Sequence, residues 1–210
     1  MIYHSTRDEK LTAAPTRAVL EGIAPDGGLY VCDPGRLDFD WQGTLQKDTM
    51  SMAADILGAL LPDFQDMNGL VRASYAGKFA SDDLTPLVPV GERYVLELYH
   101  GPTSAFKDVA LSVLPRLVSA AAKQEGAGDV VILTATSGDT GKAALEGFHD
   151  VPGTRIMVFY PAGGVSPVQE AQMVTQEGGN VRVCAIRGNF DDAQTGVKNV
   201  FAACKGTVSY

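Results

Sequence analysis

A lysine occupies an awkward place in the stretch YHGPTSAFKDVALSVLPRLV, which runs from Tyr99 to Val118. Gly101 and Pro102 break the chain, Thr103 or Ser104 can cap a helix, and an apolar run follows. This grammar predicts Lys107 in the first turn of a helix. Its cation would face unsatisfied N–H groups and the positive end of the helix dipole. Phe106 on one side and Val109, Ala110 and Leu111 beyond thin out the polar company. Most helix lysines simply snorkel into water. Here the position disfavours the charged form, and a neutral amine is a nucleophile suited to forming a Schiff base with a carbonyl. Asp108 would oppose this if it reached the amine, but adjacent helix positions point apart.

A second candidate is TATSGDTGKAALEGF, Thr134 to Phe148, which follows a predicted strand and opens a helix. Ser137, Gly138, Asp139, Thr140 and Gly141 crowd into its turn. Glycines let backbone approach a ligand, and hydroxyls with free N–H groups at a helix start form an anion cradle. The nucleotide P-loop GxxxxGK[ST] laid over residues 136–143 finds Gly141 and Lys142 in place. It meets Thr136 where a glycine is required and Ala143 where the magnesium-binding hydroxyl should be. An ordinary capped turn remains the bland alternative. The third stretch, YPAGGVSPVQEAQM, has Gly163 and Gly164 in a turn, Ser166 as a helix cap and Pro167 at the first helical position. His4, His100 and His149 show no metal-ligand spacing, and the GGN at Gly178–Asn180 reads as a connecting turn.

The elements that must position these residues fall into two parts. Residues 1–80 predict a mostly helical segment, with helices in APTRAVLEG, KDTMSMAADILGALLPDF and QDMNGLVRASYAGKF. SDDLTPLVPVGE reads as a connector. Residues 81–210 then alternate regularly, with strands at RYVLELY, DVVILTAT, TRIMVFYP and NVRVCAI, each followed by a helix. Four such pairs predict an α/β fold with a parallel sheet of βαβ units. Ligands in these sheets sit at the carboxyl ends of the strands, so the ends of 93–99, 129–136 and 154–160 are expected to share one edge. Lys107, the Ser137–Gly141 turn and Ser166 would then line one cleft. Phe201 to Tyr210 reads as chain leaving a helix for the next element.

Composition removes several classes. The 210 residues are 45% hydrophobic and carry 17 basic against 25 acidic residues, a formal charge of −8. With no basic run, nucleic acid is not an expected partner. No apolar segment is long enough for a membrane span, and the N-terminus is too polar for a signal peptide. Cys32, Cys184 and Cys204 are widely spaced and odd in number. They read as reduced thiols of a cytosolic protein, with no metal site.

Taken together, these stretches resemble the threonine synthase family, pyridoxal-phosphate enzymes of the tryptophan-synthase β-like, fold type II group. The resemblance rests on YHSTR, DGGLYV, HGPTSAFKD, TATSGDTGKAA, PAGGVSPVQEAQM, GGNV and GNFDDAQ, which occur in family order over nearly the whole chain. It implies that Lys107 holds pyridoxal 5'-phosphate as a Schiff base and shuttles protons, with Phe106 and Asp139 beside the cofactor. O-phospho-L-homoserine and water would become L-threonine and phosphate. Ser137, Gly138, Thr140, Gly141 and Ser166 would hold the substrate, with Thr140 near an oxyanion. Family members often carry a basic residue where Gly164 stands. They also continue into a larger domain with a loop for the cofactor phosphate. The expectation is therefore an N-terminal half, inactive alone and self-associating through the face left by the other domain. The alternatives are an incomplete anion- or partner-binding module of the same family, or a nucleotide-binding α/β module.

Overall fold

A computed structural model describes residues 1–204 apart from Pro34, Arg36 and Asp38. The leading segment holds β1 (Tyr3–Ser5), β2 (Thr12–Ala13), α1 (Pro15–Glu21), β3 (Tyr30–Val31), α2 (Trp41–Thr44), α3 (Thr49–Leu60) and α4 (Met67–Tyr75). Its helices follow their caps: Asp48 and Asp66 accept the backbone N–H groups of Ser51 and Gly69, satisfying donors that the helix cannot. The segment is helical as expected, but it also contains a small antiparallel sheet in the order β2-β1-β3. Buried Ser5 anchors that sheet by donating its hydroxyl to the Asp26 carboxylate at 2.8 Å.

Next come β4 (Leu87–Val90), β5 (Arg93–Leu96) and α5 (Asp108–Gln124). Here the structure corrects the sequence expectation. The strand beginning at Arg93 does not join the parallel sheet; it pairs antiparallel with β4, Val90 opposite Arg93 and Leu87 opposite Leu96. The supposed connector is thus half of a hairpin. Gly91, at φ 61°, supplies the left-handed residue of a two-residue turn. Pro89 is tolerated because this ribbon has only edge strands.

The remainder is β6 (Val130–Ala135), α6 (Asp139–Phe148), β7 (Thr154–Pro161), α7 (Pro167–Val174), β8 (Val181–Ile186) and α8 (Phe190–Ala203). The sheet has three parallel strands in the order β6-β7-β8, with Ala135 opposite Phe159 and Pro161 opposite Ile186. Three of the four expected βαβ strands are therefore present. The end of the predicted C-terminal segment, residues 205–210, lies outside the described residues. No helix among the described residues is long and apolar enough to cross a membrane.

Helix α5 is the wall between two cores. Val113, Leu117 and Ala121 pack with Ala54, Leu61, Val71 and Tyr75 of the leading segment. Leu111 packs against the other core, built from Leu145, Phe148, Ile156, Val158 and Met173. Pro115 lies inside α5 and has no N–H for the Leu111 carbonyl. Gly147 of α6 packs onto that carbonyl, so closely that a Cβ there would overlap it. A glycine is thus required where the two helices meet.

Candidate active site

Lys107 stands one residue outside α5, at its N-cap position, and not within the first turn. The cause is Asp108. Its carboxylate is 2% exposed and turns back, accepting the Thr103 hydroxyl at 2.6 Å and the Thr103 N–H at 2.8 Å. Thr103 therefore serves Asp108 instead of capping the helix, and Ser104 bends through φ 59° between them. A side chain on Gly101 would collide with the same carboxylate. Asp108 points away from the amine, as adjacent positions should. Phe106 is 60% exposed, and the Lys107 Nζ lies 4.6 Å from its ring centroid. The ring stacks under the amine and does not bury it. Lys107 is half-buried and forms no ion pair among the described residues.

The Ser137–Gly141 turn is held from below by Thr136, which is 2% exposed. Its Oγ1 accepts the N–H groups of Gly138 at 3.0 Å and Gly141 at 2.9 Å, and donates to the Gly138 carbonyl at 3.1 Å. These two N–H groups are consequently not available to an anion. They are used to shape the turn. The groups left exposed on the turn are the side chains of Ser137, Asp139 and Thr140; the two hydroxyls have no hydrogen-bond partner among the described residues. Lys142 is bound to Glu146 at 3.3 Å and to Gln176, so it does not serve the turn as a P-loop lysine would.

Ser166 caps α7 in a reciprocal box with Gln169. Gln169 reaches further and donates Nε2 to Asp139 Oδ1 at 2.7 Å. One side chain thus joins the second and third predicted motifs. Deeper in, the Tyr160 hydroxyl donates to Glu170 at 2.8 Å, and burial, then this bond, pushes that phenol above its usual range. Ser119, midway along α5, donates to the Pro152 carbonyl just ahead of β7. The twelve residues from there back to Lys107 span roughly 18 Å of helix, close to the roughly 20 Å of a six-residue strand. That directs Lys107 toward the edge where β6 and β7 end. No hydrogen bond or ring contact joins Lys107 to the Ser137–Gly141 turn among the described residues. A cavity of about 530 Å³ opens at the opposite edge, beside Asp129, Pro152 and Asn180, and no predicted site residue lines it.

Residues 2–88 match a family described as threonine synthase N terminus. The chain is 39% identical to the threonine synthase of Pseudomonas aeruginosa, over 96% of this chain and 44% of that protein. It is 35% identical to that of Saccharomyces cerevisiae, over 95% of this chain and 43% of the relative. A PLP-bound threonine synthase from Brucella melitensis superposes with a TM-score of 0.88 at 39% identity, covering 96% of this chain and 44% of that one. The chain matches the N-terminal portion of the threonine synthase family.

The chain spans less than half the length of the threonine synthases it matches. Within that span, Ser137, Gly138, Asp139, Thr140, Gly141 and Ser166 form one connected group through Gln169, while Lys107 and Phe106 form another. The residues present fit an anion that carries an aldehyde. They offer an amine free of carboxylates and two open hydroxyls above a turn where Gly138 and Gly141 have no room for side chains. Thr136, Gln169 and the true partner of Asp108 were not singled out from sequence. A Thr two residues before a glycine is a readable turn signal. The Gln169 contact is tertiary and left no local trace.

Proposed function

We propose that this chain carries the lysine-bearing half of a threonine synthase active site, for conversion of O-phospho-L-homoserine and water to L-threonine and phosphate. The observation that supports this most is a carboxylate-free lysine at a helix start together with a turn of unpartnered hydroxyls, in a chain matching threonine synthases along 95% of its length. Pyridoxal 5'-phosphate is the cofactor of this reading; when bound it supplies an aldehyde for an amine and a conjugated ring that accepts carbanion electrons. Lys107 is the amine that would hold it. Lys107 Nζ also takes the substrate Cα proton and returns protons at neighbouring carbons as phosphate leaves Cγ and water adds at Cβ. Phe106 supports the lysine. Asp139 would help to hold the cofactor, its carboxylate fixed as an acceptor by the Gln169 amide.

Substrate anions are received by the Ser137 and Thr140 hydroxyls, with Gly138 and Gly141 letting the turn close against Gln169 and Thr136 and Ser166 standing at the neighbouring helix start. Gly164 brings no charge to the substrate phosphate. Its position is tight against Pro161, so a longer residue there would need the turn to shift. We read residues 1–80 as a leading unit and 81–210 as an α/β unit of the fold type II arrangement. The formal charge of −8 supports a small molecule over nucleic acid as the partner.

Phosphate release from O-phospho-L-homoserine by the intact protein carrying this sequence tests the reading. Lys107→Ala should reduce turnover to background. Lys107→Arg should do nearly the same, because a guanidinium stays protonated and cannot add to an aldehyde. Near-normal turnover in either variant would remove Lys107 from the mechanism.

A further inference from the structure

The start of α6 and the start of α7 are separate in sequence, yet one side chain serves both. Gln169 Oε1 accepts the Ser166 N–H at 3.1 Å, and the Gln169 N–H returns to Ser166 Oγ at 3.2 Å. That is a complete capping box, and a glutamate would build it equally well. The amide nitrogen does something a cap does not need: it donates to Asp139 Oδ1 at 2.7 Å. Only glutamine among the two box residues can accept at one end and donate at the other. Gly138 is fitted to the same side chain. A Cβ at Gly138 would run into the Gln169 carboxamide, and its φ of 147° lies where L-residues with side chains are strained. The glycine, the carboxylate and the amide form one device.

We infer that Gln169 is a positioning residue of the proposed site, orienting the Asp139 carboxylate and tying the Ser137–Gly141 turn to the Ser166 helix start. This rests on the threonine synthase reading for its catalytic meaning, but its physical content does not. An exposed carboxylate at a helix start is otherwise free to turn into solvent. The amide holds one oxygen, leaving the other oxygen for a ligand. It also makes the two ligand-facing loops move together, because displacement of α7 pulls on Asp139 directly.

Hydrogen exchange on the cofactor-free intact protein tests this without any catalysis. Gln169→Glu keeps the cap, removes the donor and sets two carboxylates face to face. Exchange at the Gly138, Gly141 and Lys142 amides should rise at least about tenfold, the factor that one lost hydrogen bond to a charged group carries. Exchange at the Gln169 and Glu170 amides should stay as in the parent. Adding Asp139→Asn to Gln169→Glu exchanges donor and acceptor, and the double variant should regain protection of the turn. Parent-like exchange in Gln169→Glu would make Gln169 a cap and nothing more. Loss of protection in both loops that the double variant does not repair would overturn the inference as well. Failure of phosphate release would leave these results standing, and failure here would leave Lys107 untouched.

Discussion

The Thr103 hydroxyl lies 2.6 Å from Asp108 Oδ1, closing a five-residue loop whose last step before the helix is Lys107. A carboxylate 2% exposed that accepts two donors on one side cannot also reach the amine behind it. Asp108 thereby fixes where Lys107 starts without taking its charge.

Removing that carboxylate should be costly. Asp108→Ala leaves two Thr103 donors unmatched, and hydrogen bonds to a charged group contribute about 1.5–3 kcal/mol each. A loss of about 3 kcal/mol should lower Tm by roughly 6–12 °C for a chain of this size. Asp108→Asn should recover only part of this, since its NH2 must face one of the two donors. Thermal melting of the three proteins decides it; an unchanged Tm in Asp108→Ala would mean the loop is held by something else.

Thr136 allows a sharper contrast. Thr136→Val conserves shape but leaves the buried Gly138 N–H without an acceptor, at about 1–3 kcal/mol, and leaves the Gly141 N–H only the Gly138 carbonyl at 3.1 Å. Thr136→Ser keeps the oxygen and loses only a methyl, close to 0.8 kcal/mol. Denaturant unfolding should therefore rank parent, Ser, then Val, with the larger gap before Val. Equal stability of Ser and Val would show that the hydroxyl does not organise the turn.

Alkaline stability should respond to Tyr75. Burial pushes this phenol from 10.0 to about 12, with its hydroxyl donating to the Val109 carbonyl at 2.7 Å. A raised pKa means the folded protein keeps the proton that the unfolded chain loses. The contribution is complete below pH 10 and is lost as pH climbs toward 12, at about 1.4 kcal/mol per pH unit. Tyr75→Phe should flatten that part of the stability curve between pH 10 and 12. An identical slope in parent and variant would contradict the assignment.

How much of this was legible beforehand depends on whether the controlling contact is local. The βαβ units at 130–203 were readable because their strands are β-branched runs and their helices begin with Ser166-Pro167 or Asn189, signals that act within a few residues. The hairpin was missed because Pro86 and Pro89 suggested a connector. The better clue was the Gly91-Glu92 pair between VPV and RYV. Phe106 was expected to thin out the polar company of the lysine; its ring lies under the amine while staying exposed itself, because burial depends on what packs above a ring and not on the ring's being apolar. The hydrogen bonds from the Gly141 N–H to Thr136 and from Gln169 to Asp139 span 5 and 30 residues, and only the second was beyond local inspection.

The hairpin also carries an expectation about association. Leu87, Tyr94 and Leu96 lie on one face of β4 and β5 and are 60%, 71% and 53% exposed. An apolar strip on an unpaired two-stranded ribbon invites pairing with other chains. The 210-residue polypeptide should elute as a concentration-dependent oligomer in sizing experiments, and Tyr94→Lys with Leu96→Lys should shift it toward monomer. A monomer at all concentrations would show that the strip is harmless.

The central claim is that Lys107 is the amine that captures an aldehyde cofactor. Borohydride reduction of the intact protein in the presence of pyridoxal 5'-phosphate, followed by peptide mapping, tests it most directly. One stoichiometric phosphopyridoxyl adduct is expected in the peptide carrying Phe106-Lys107-Asp108, absent from Lys107→Ala. Adducts spread over surface lysines such as Lys10, Lys123 and Lys198, or an undiminished yield in Lys107→Ala, would contradict it.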